Sequence, residues 1–147
     1  MIFKKDWLYR IRCRLETWKL NTLIFSIYII LSIVFTYPVA FSSNKIAGLG
    51  DVFQFLWTYW WFKESLLNFA NPYFTNHIFY PSGVSLAFST ITPLNSIVSI
   101  PLQLAFGLVN AYNIIWILTF ILSGYGTFLL VKYLTGDTRA AFVAGLI

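Results

Sequence analysis

The sequence predicts an all-α integral membrane protein, and three observations carry that prediction. Of 147 residues, 59% are hydrophobic and only 10% are charged, where a soluble domain carries about 25% charged residues. No Lys, Arg, Asp or Glu occurs from Ser65 to Val131, so this stretch cannot make a watery surface. Two uncharged apolar runs each reach the length of about 20 residues that spans a bilayer. The predicted architecture is a transmembrane helix, a large outer loop with interfacial helices, a second transmembrane helix and the start of a third.

Residues 1–19 form a basic amphipathic arm, with Lys4, Lys5, Arg10, Arg12, Arg14 and Lys19 against Asp6 and Glu16. A basic flank before a first span places the N-terminus in the cytoplasm, and Trp7 and Trp18 fit a segment lying along headgroups. The net charge of +5 is thus mainly a topology signal. Nucleic acid would need a basic patch facing water, and none is on offer, so that class of partner is excluded. Cys13 is the sole cysteine, which rules out an intrachain disulfide; among arginines beside a span it is either S-acylated or an inert thiol.

Residues 20–41 make the first transmembrane helix. A secretory signal has an apolar core of only about 7–15 residues. Ala40-Phe41-Ser42 resembles a cleavage site, but the core is too long, and an uncleaved anchor is expected. The location is the cytoplasmic (inner) membrane, multi-pass, with membrane lipids as the first partners.

Residues 42–109 form the outer loop. Gly50-Asp51 opens a helix over 51–69, where Gln54, Thr58, Trp61, Ser65 and Asn68 recur at spacings of three and four, one helix face. Large apolar side chains, Phe53, Leu56, Trp57, Tyr59, Trp60 and Leu67, fill the opposite side. Such a helix is expected to lie flat at the interface with its polar edge turned to water or to a site. Asn71-Pro72 ends it. Residues 73–83 read as irregular and aromatic, closing on the turn Pro81-Ser82-Gly83; that surface suits an amphiphile, a lipid tail or a flat sugar face.

A second interfacial helix is expected over 90–107. The segment 86–108 is apolar but broken by Pro93 and Pro101 and dotted with hydroxyls and amides. If it crossed, Lys132 and Arg139 would land outside, against the positive-inside bias; if it re-enters or lies in the interface, both are cytoplasmic. The second reading is preferred. Residues 110–132 then make transmembrane helix two and 133–139 a cytoplasmic loop. Residues 140–147 open a third helix, which rises only about 12 Å. The chain therefore reads as the front of a longer one, whose remaining transmembrane helices are expected partners. Small residues at helix spacing, Thr119, Ser123 and Thr127, then Ala141 and Gly145, mark faces built for close packing.

An ordered set of short motifs runs through residues 20–147. It comprises Gly50-Asp51 and Trp57; Asn71-Pro72; Ile78-Phe79-Tyr80-Pro81 with Gly83; Ser85-Leu86; Pro93-Leu94; and Pro101-Leu102 with Gly107. Ala111-Tyr112-Asn113, Leu122-Ser123-Gly124 and Leu134-Thr135-Gly136, leading into Ala140 to Gly145, complete it. The set resembles the N-terminal portion of the GT-C superfamily, polytopic glycosyltransferases that use polyprenyl-phosphate sugars, and in particular its large uncharacterised prokaryotic members. The resemblance implies transfer of a sugar from a polyprenyl-phosphate donor to an extracytoplasmic acceptor, with Asp51 as the acid at the donor–acceptor junction. A carboxylate there can serve as general base or hold a divalent metal against the donor phosphate; no other cofactor is implied. The second-loop acids and donor-phosphate-binding groups of that superfamily are absent here, so the 147 residues alone are expected to be inactive.

Asp51 is the expected catalytic residue, and Trp57, Tyr73, His77, Tyr80 and Lys63 the expected substrate-binding residues. Each has a plainer reading beside the functional one. Aspartate after glycine at a helix start is a favoured N-cap, tryptophan is an interface anchor, and a lone His77 has no second histidine or nearby carboxylate in sequence. Lys63 meets a headgroup as readily as a substrate phosphate, and Asp137 is a solvated loop charge. The alternatives to a transferase are a non-catalytic multi-spanning protein, serving as scaffold or accessory subunit, and a lipid-handling fragment. A catalytic Asp51 is expected to face a cavity shared with residues 73–83, and a scaffold's Asp51 to cap its own helix.

Overall fold

The computed structural model describes residues 3–41, 45–48 and 50–147, and the side chains among them from Trp18 onward apart from residue 40. Cys13, the charged side chains of the basic arm before Trp18, and residues 42–44 of the cleavage-like stretch lie outside it. The protein is mostly helical, at 70% of residues. Helices α1 (Phe3–Phe35), α2 (Val52–Leu67), α3 (Pro93–Phe106), α4 (Leu108–Thr135) and α5 (Thr138–Ala144) are joined in chain order, with a two-stranded hairpin, β1 (Phe74–Thr75) and β2 (Val84–Ser85), between α2 and α3. The chain divides into two compact units, residues 36–117 and residues 1–35 with 118–147.

Two helices, α1 over Trp18–Phe35 and the whole of α4, are long and apolar enough to cross a membrane. The basic arm and the first apolar run are one continuous helix, and it ends at Phe35 rather than at 41. Pro38 is the cause, because the residue before proline is driven from helical geometry; a turn over 36–38 and a 3-10 turn over Val39–Phe41 follow. Helix α3 has 14 residues. It rises about 21 Å, short of the roughly 30 Å of a hydrocarbon core.

In the unit of residues 36–117, Ala47, Val52, Leu56, Tyr59, Tyr112 and Ile115 form the core. Asn113 ties the incoming loop to it: its side-chain carbonyl accepts from the Ala47 amide at 2.9 Å and its Nδ2 donates to Lys45 O at 2.8 Å. Both halves of a buried amide are thereby satisfied, as burial demands. Asn113, a polar residue of α4, thus has structural work.

Helix α3 is polar inside and apolar outside. It buries Ser96, Ser99 and Gln103, while Leu94 is 74% and Leu104 67% exposed. Gln103 Nε2 donates to Tyr59 O at 3.0 Å and to Ser99 Oγ at 2.8 Å, which joins α3 to α2. Ser99 Oγ donates to Ser96 O and Ser96 Oγ to Thr92 O. Helix α2 shows the same inversion in part. Thr58 and Ser65, expected on an edge turned to water or a site, are buried, and Phe53, expected on the apolar side, is 75% exposed. On α3 the reason is the Gln103 bond across the seam to Tyr59 O. On α2 the small hydroxyl side chain of Thr58 is satisfied by Gln54 O of its own helix and can be buried without a partner on α3.

Two tests follow. Gln103→Ala removes the amide from the seam and leaves Tyr59 O without its donor; a loss of about 1–2 kcal/mol is expected for a buried hydrogen bond of this kind, read by denaturant unfolding. Tyr59 is buried, and that burial, with Tyr112 beside it, pushes its phenol up to about 12 against the opposing pull of Thr92 and Asn95. Below pH 10 the phenol is neutral in both folded and unfolded chains and adds no pH dependence. Between pH 10 and 12 the unfolded chain ionises first, so stability falls with rising pH. Tyr59→Phe is expected to remove that part of the alkaline loss, seen by comparing unfolding midpoints of the two proteins across this window.

In the unit of residues 1–35 and 118–147, Ile24, Tyr28, Phe128 and Ala141 form the core. Tyr28 Oη donates to Phe142 O at 2.8 Å. Gly124 and Gly145 lie against each other and against the Tyr28 ring. Ala141 and Gly145 are thus on a close-packed face, as their spacing suggested. On α4 the face is the one carrying Gly124 and Phe128, whereas Thr119 and Ser123 are exposed. Lys132 Nζ donates to Asn21 Oδ1 at 2.8 Å and lies over the Phe128 ring. Asp137 is no idle charge: its carboxylate accepts from the amides of Arg139 and Ala140 and caps α5.

Candidate functional site

The chain turns back on α2 immediately after it ends. Asn68 closes the helix, its Nδ2 donating to Glu64 O at 2.8 Å. Phe69 takes a left-handed backbone (φ 54) and Ala70 N donates to Ser65 O at 2.7 Å. Asn71 forms an Asx turn ahead of Pro72, its Oδ1 accepting from Tyr73 N, a geometry to which asparagine is suited. The strands pair antiparallel, Phe74 opposite Ser85 and Thr75 opposite Val84. Residues 74–85 thus form a short hairpin, whose loop over 76–83 is irregular and turns at 80–82, as expected.

The result is an aromatic nest on the last turns of α2. Trp61 Nε1 donates to Pro72 O at 3.0 Å, which fixes its ring. Trp57 stacks on it, centroids 6.1 Å apart at 8°. The His77 ring stands edge-on to Trp60 at 5.8 Å and to Trp61 at 5.2 Å, held by His77 N donating to Thr75 Oγ1. Two adjoining hollows open here. One of about 320 Å³ is lined by Trp61, Ala70, Asn71, Phe74, Thr75, Asn76 and His77. The other, about 250 Å³, is lined by Trp60, Trp61, Glu64, Ser65, Asn68, Ala70 and His77. Ser65 is fully buried, and its hydroxyl has no hydrogen-bond partner.

No protein-family model, curated protein or solved structure matches the chain.

Of the residues singled out from sequence, His77 lines both hollows and Trp57 supports them through Trp61. Tyr73 stands behind, edge-on to Phe62 at 5.8 Å. Tyr80 is 84% exposed at the far end of the hairpin and lines neither hollow. Lys63 is turned to Glu64, with Nζ 3.3 Å from the carboxylate, so its charge is partly met within the chain.

Asp51 lines neither of these two hollows. Nor does its side chain cap α2. Its carbonyl accepts from Gln54 N and Phe55 N, but its backbone (φ −77, ψ 20) makes no side-chain cap bond. N-caps normally take extended geometry, as Asp137 does at ψ 114. The Asp51 carboxylate is exposed. Among the described residues no three His, Cys, Asp or Glu side chains gather into a metal site, so a divalent ion at Asp51 would need ligands beyond them.

Trp60, Trp61, Glu64, Ser65, Asn68, Ala70, Asn71, Phe74, Thr75 and Asn76 complete the lining. Trp61, Ser65 and Asn68 belong to the polar face read from the periodicity, and Phe74 to Asn76 to the aromatic segment. Glu64, Ala70 and Asn71 carried no such signal and join them through the fold-back after α2.

Proposed function

We propose that this chain supplies the first outer-face segment of a membrane glycosyltransferase that takes its sugar from a polyprenyl-phosphate donor. On this reading α1 and α4 cross the inner membrane, the N-terminus is cytoplasmic, and residues 36–107 lie at the outer face. The inverted polarity of α3 supports a lipid setting, since exposed Leu94 and Leu104 are at ease there and the buried hydroxyls are not left to hydrocarbon. The observation that carries the catalytic part is the free carboxylate of Asp51. It stands at a helix start, exposed and uncommitted to capping, and is open to accept a proton from an acceptor hydroxyl brought to it.

The test is transfer of labelled sugar from a polyprenyl-phosphate donor by membranes containing the intact protein. Transfer that is lost in Asp51→Asn and partly kept in Asp51→Glu supports the reading. Full transfer by Asp51→Asn sinks it. The separation of Asp51 from the aromatic hollows favours a second reading, a non-catalytic membrane scaffold, which predicts no transfer at all.

A further inference from the structure

The two hollows share Trp61, Ala70 and His77 and together have the size of a small-molecule cleft, roughly 300 Å³ or more. We infer that they form one binding site for a neutral saccharide, with Trp60 and Trp61 as stacking platforms and Glu64, Asn68, Asn71 and Asn76 as hydroxyl partners. The inference deepens the transferase reading, and the site's place in a reaction rests on that reading.

Four observations carry it. An indole presents a negative π-face, and the C–H bonds on one face of a sugar ring are complementary to it. The platform is set in advance, because Trp61 is held by Pro72 O and by Trp57, so little ordering remains for the ligand to impose. The lining supplies three amides that both donate and accept and one carboxylate that accepts, the pattern that vicinal hydroxyls answer. Ser65 borders the site with an orphaned buried hydroxyl, and buried polar groups are rarely left so.

Charge selects against the other ligands. The lining holds Glu64 and His77 but no lysine or arginine, and Lys63 is already turned to Glu64. A phosphate would meet a carboxylate without a cation of its own. An acyl chain would strip water from Glu64 and the asparagines with nothing in return.

The experiment is saturation-transfer NMR on the full chain in phosphatidylcholine nanodiscs. Maltose, lactose and diacetylchitobiose are the saccharide probes and inorganic phosphate is the charged comparison. Ring protons of at least one saccharide are expected to take up saturation, and phosphate to show no binding. Trp61→Leu should weaken that saccharide about tenfold. Asn76→Ala, at an exposed position that leaves the helices intact, should weaken it about threefold and covers the case in which Trp61→Leu misfolds. Absence of signal from all three saccharides, or binding unchanged in Asn76→Ala, overturns the inference. So does phosphate that competes with the saccharide. The unsubstituted protein separates the two readings: saccharide binding in a protein that never transfers sugar upholds the site and removes the transferase, whereas saccharide binding kept in Asp51→Asn while transfer is lost upholds both.

Discussion

Gly83→Ala is expected to cost about 3 kcal/mol and to unmake the hairpin over residues 74–85. Gly83 has φ +70, where an L-residue pays roughly 1–2 kcal/mol. A Cβ there would also lie 2.8 Å from Thr75 O and 2.7 Å from the Phe74 ring, and would run into the Asn76 side chain. Thr75 O belongs to the paired strand and cannot swing aside, so overlap adds about 1–3 kcal/mol. The measurement is amide exchange at Leu86, whose N–H donates to Tyr73 O at 2.7 Å, together with global unfolding. Gly107→Ala is the control. Its φ of 83 and ψ of 167 lie where essentially only glycine is at ease, but nothing lies within 4 Å of the added carbon, so only a conformational cost of about 1–3 kcal/mol should appear. Unchanged exchange at Leu86 in Gly83→Ala would mean that the contacts at Gly83 have no weight.

Gly145→Ala should destabilise by a different route, by about 1–3 kcal/mol. Gly145 is right-handed (φ −78), so alanine costs nothing in backbone conformation. Its Cβ, however, would stand 2.5 Å from Gly124 O and would collide with the Tyr28 phenol. Relief would require α5 to move away from α1 and α4, breaking the 2.8 Å bond from Tyr28 Oη to Phe142 O. Gly126→Ala serves as the reference. It lies in α4 with open space around it, and alanine there should be neutral or gain up to about 1 kcal/mol in helix propensity. Unfolding by titration with a denaturing detergent compares the three proteins. A Gly145→Ala protein as stable as Gly126→Ala would show that these helices are not in close contact.

Helix existence was legible because it rests on local rules. Proline and glycine punctuate the chain; α2 begins and ends within two residues of the expected 51–69, and α3 within three of the expected 90–107, with Pro93 opening it instead of breaking it. Orientation was not legible. The periodicity of Gln54, Thr58, Trp61, Ser65 and Asn68 marks a face, but whether that face turns inward depends on what α3 brings to meet it. The hairpin was invisible for another reason, since strands of two residues are too short for any alternation. The aromatic hollow needed that fold-back, so the sequence could offer its two sides, the stripe with Trp61, Ser65 and Asn68 and the aromatic segment with His77, but not their meeting. Aspartate told two stories: Asp137 adopts the extended backbone from which a carboxylate reaches the first amides, and Asp51 does not.

The inside-out helix has a consequence for how the protein is made. On the membrane reading proposed above, α3 by itself is a poor passenger for the insertion machinery at Gln103. The Ser96 and Ser99 hydroxyls keep their partners within the segment, but the Gln103 amide loses the Tyr59 carbonyl. The Tyr59 carbonyl that receives Gln103 is offered by α2, made earlier in the chain. If α1 and α4 cross the membrane as proposed, residues 52–106 are suited to enter the bilayer edge as one helical pair. Biogenesis of this region is then a matter of pairing before burial, and a ribosome-bound chain stalled short of Gln103 should leave α2 without that partner.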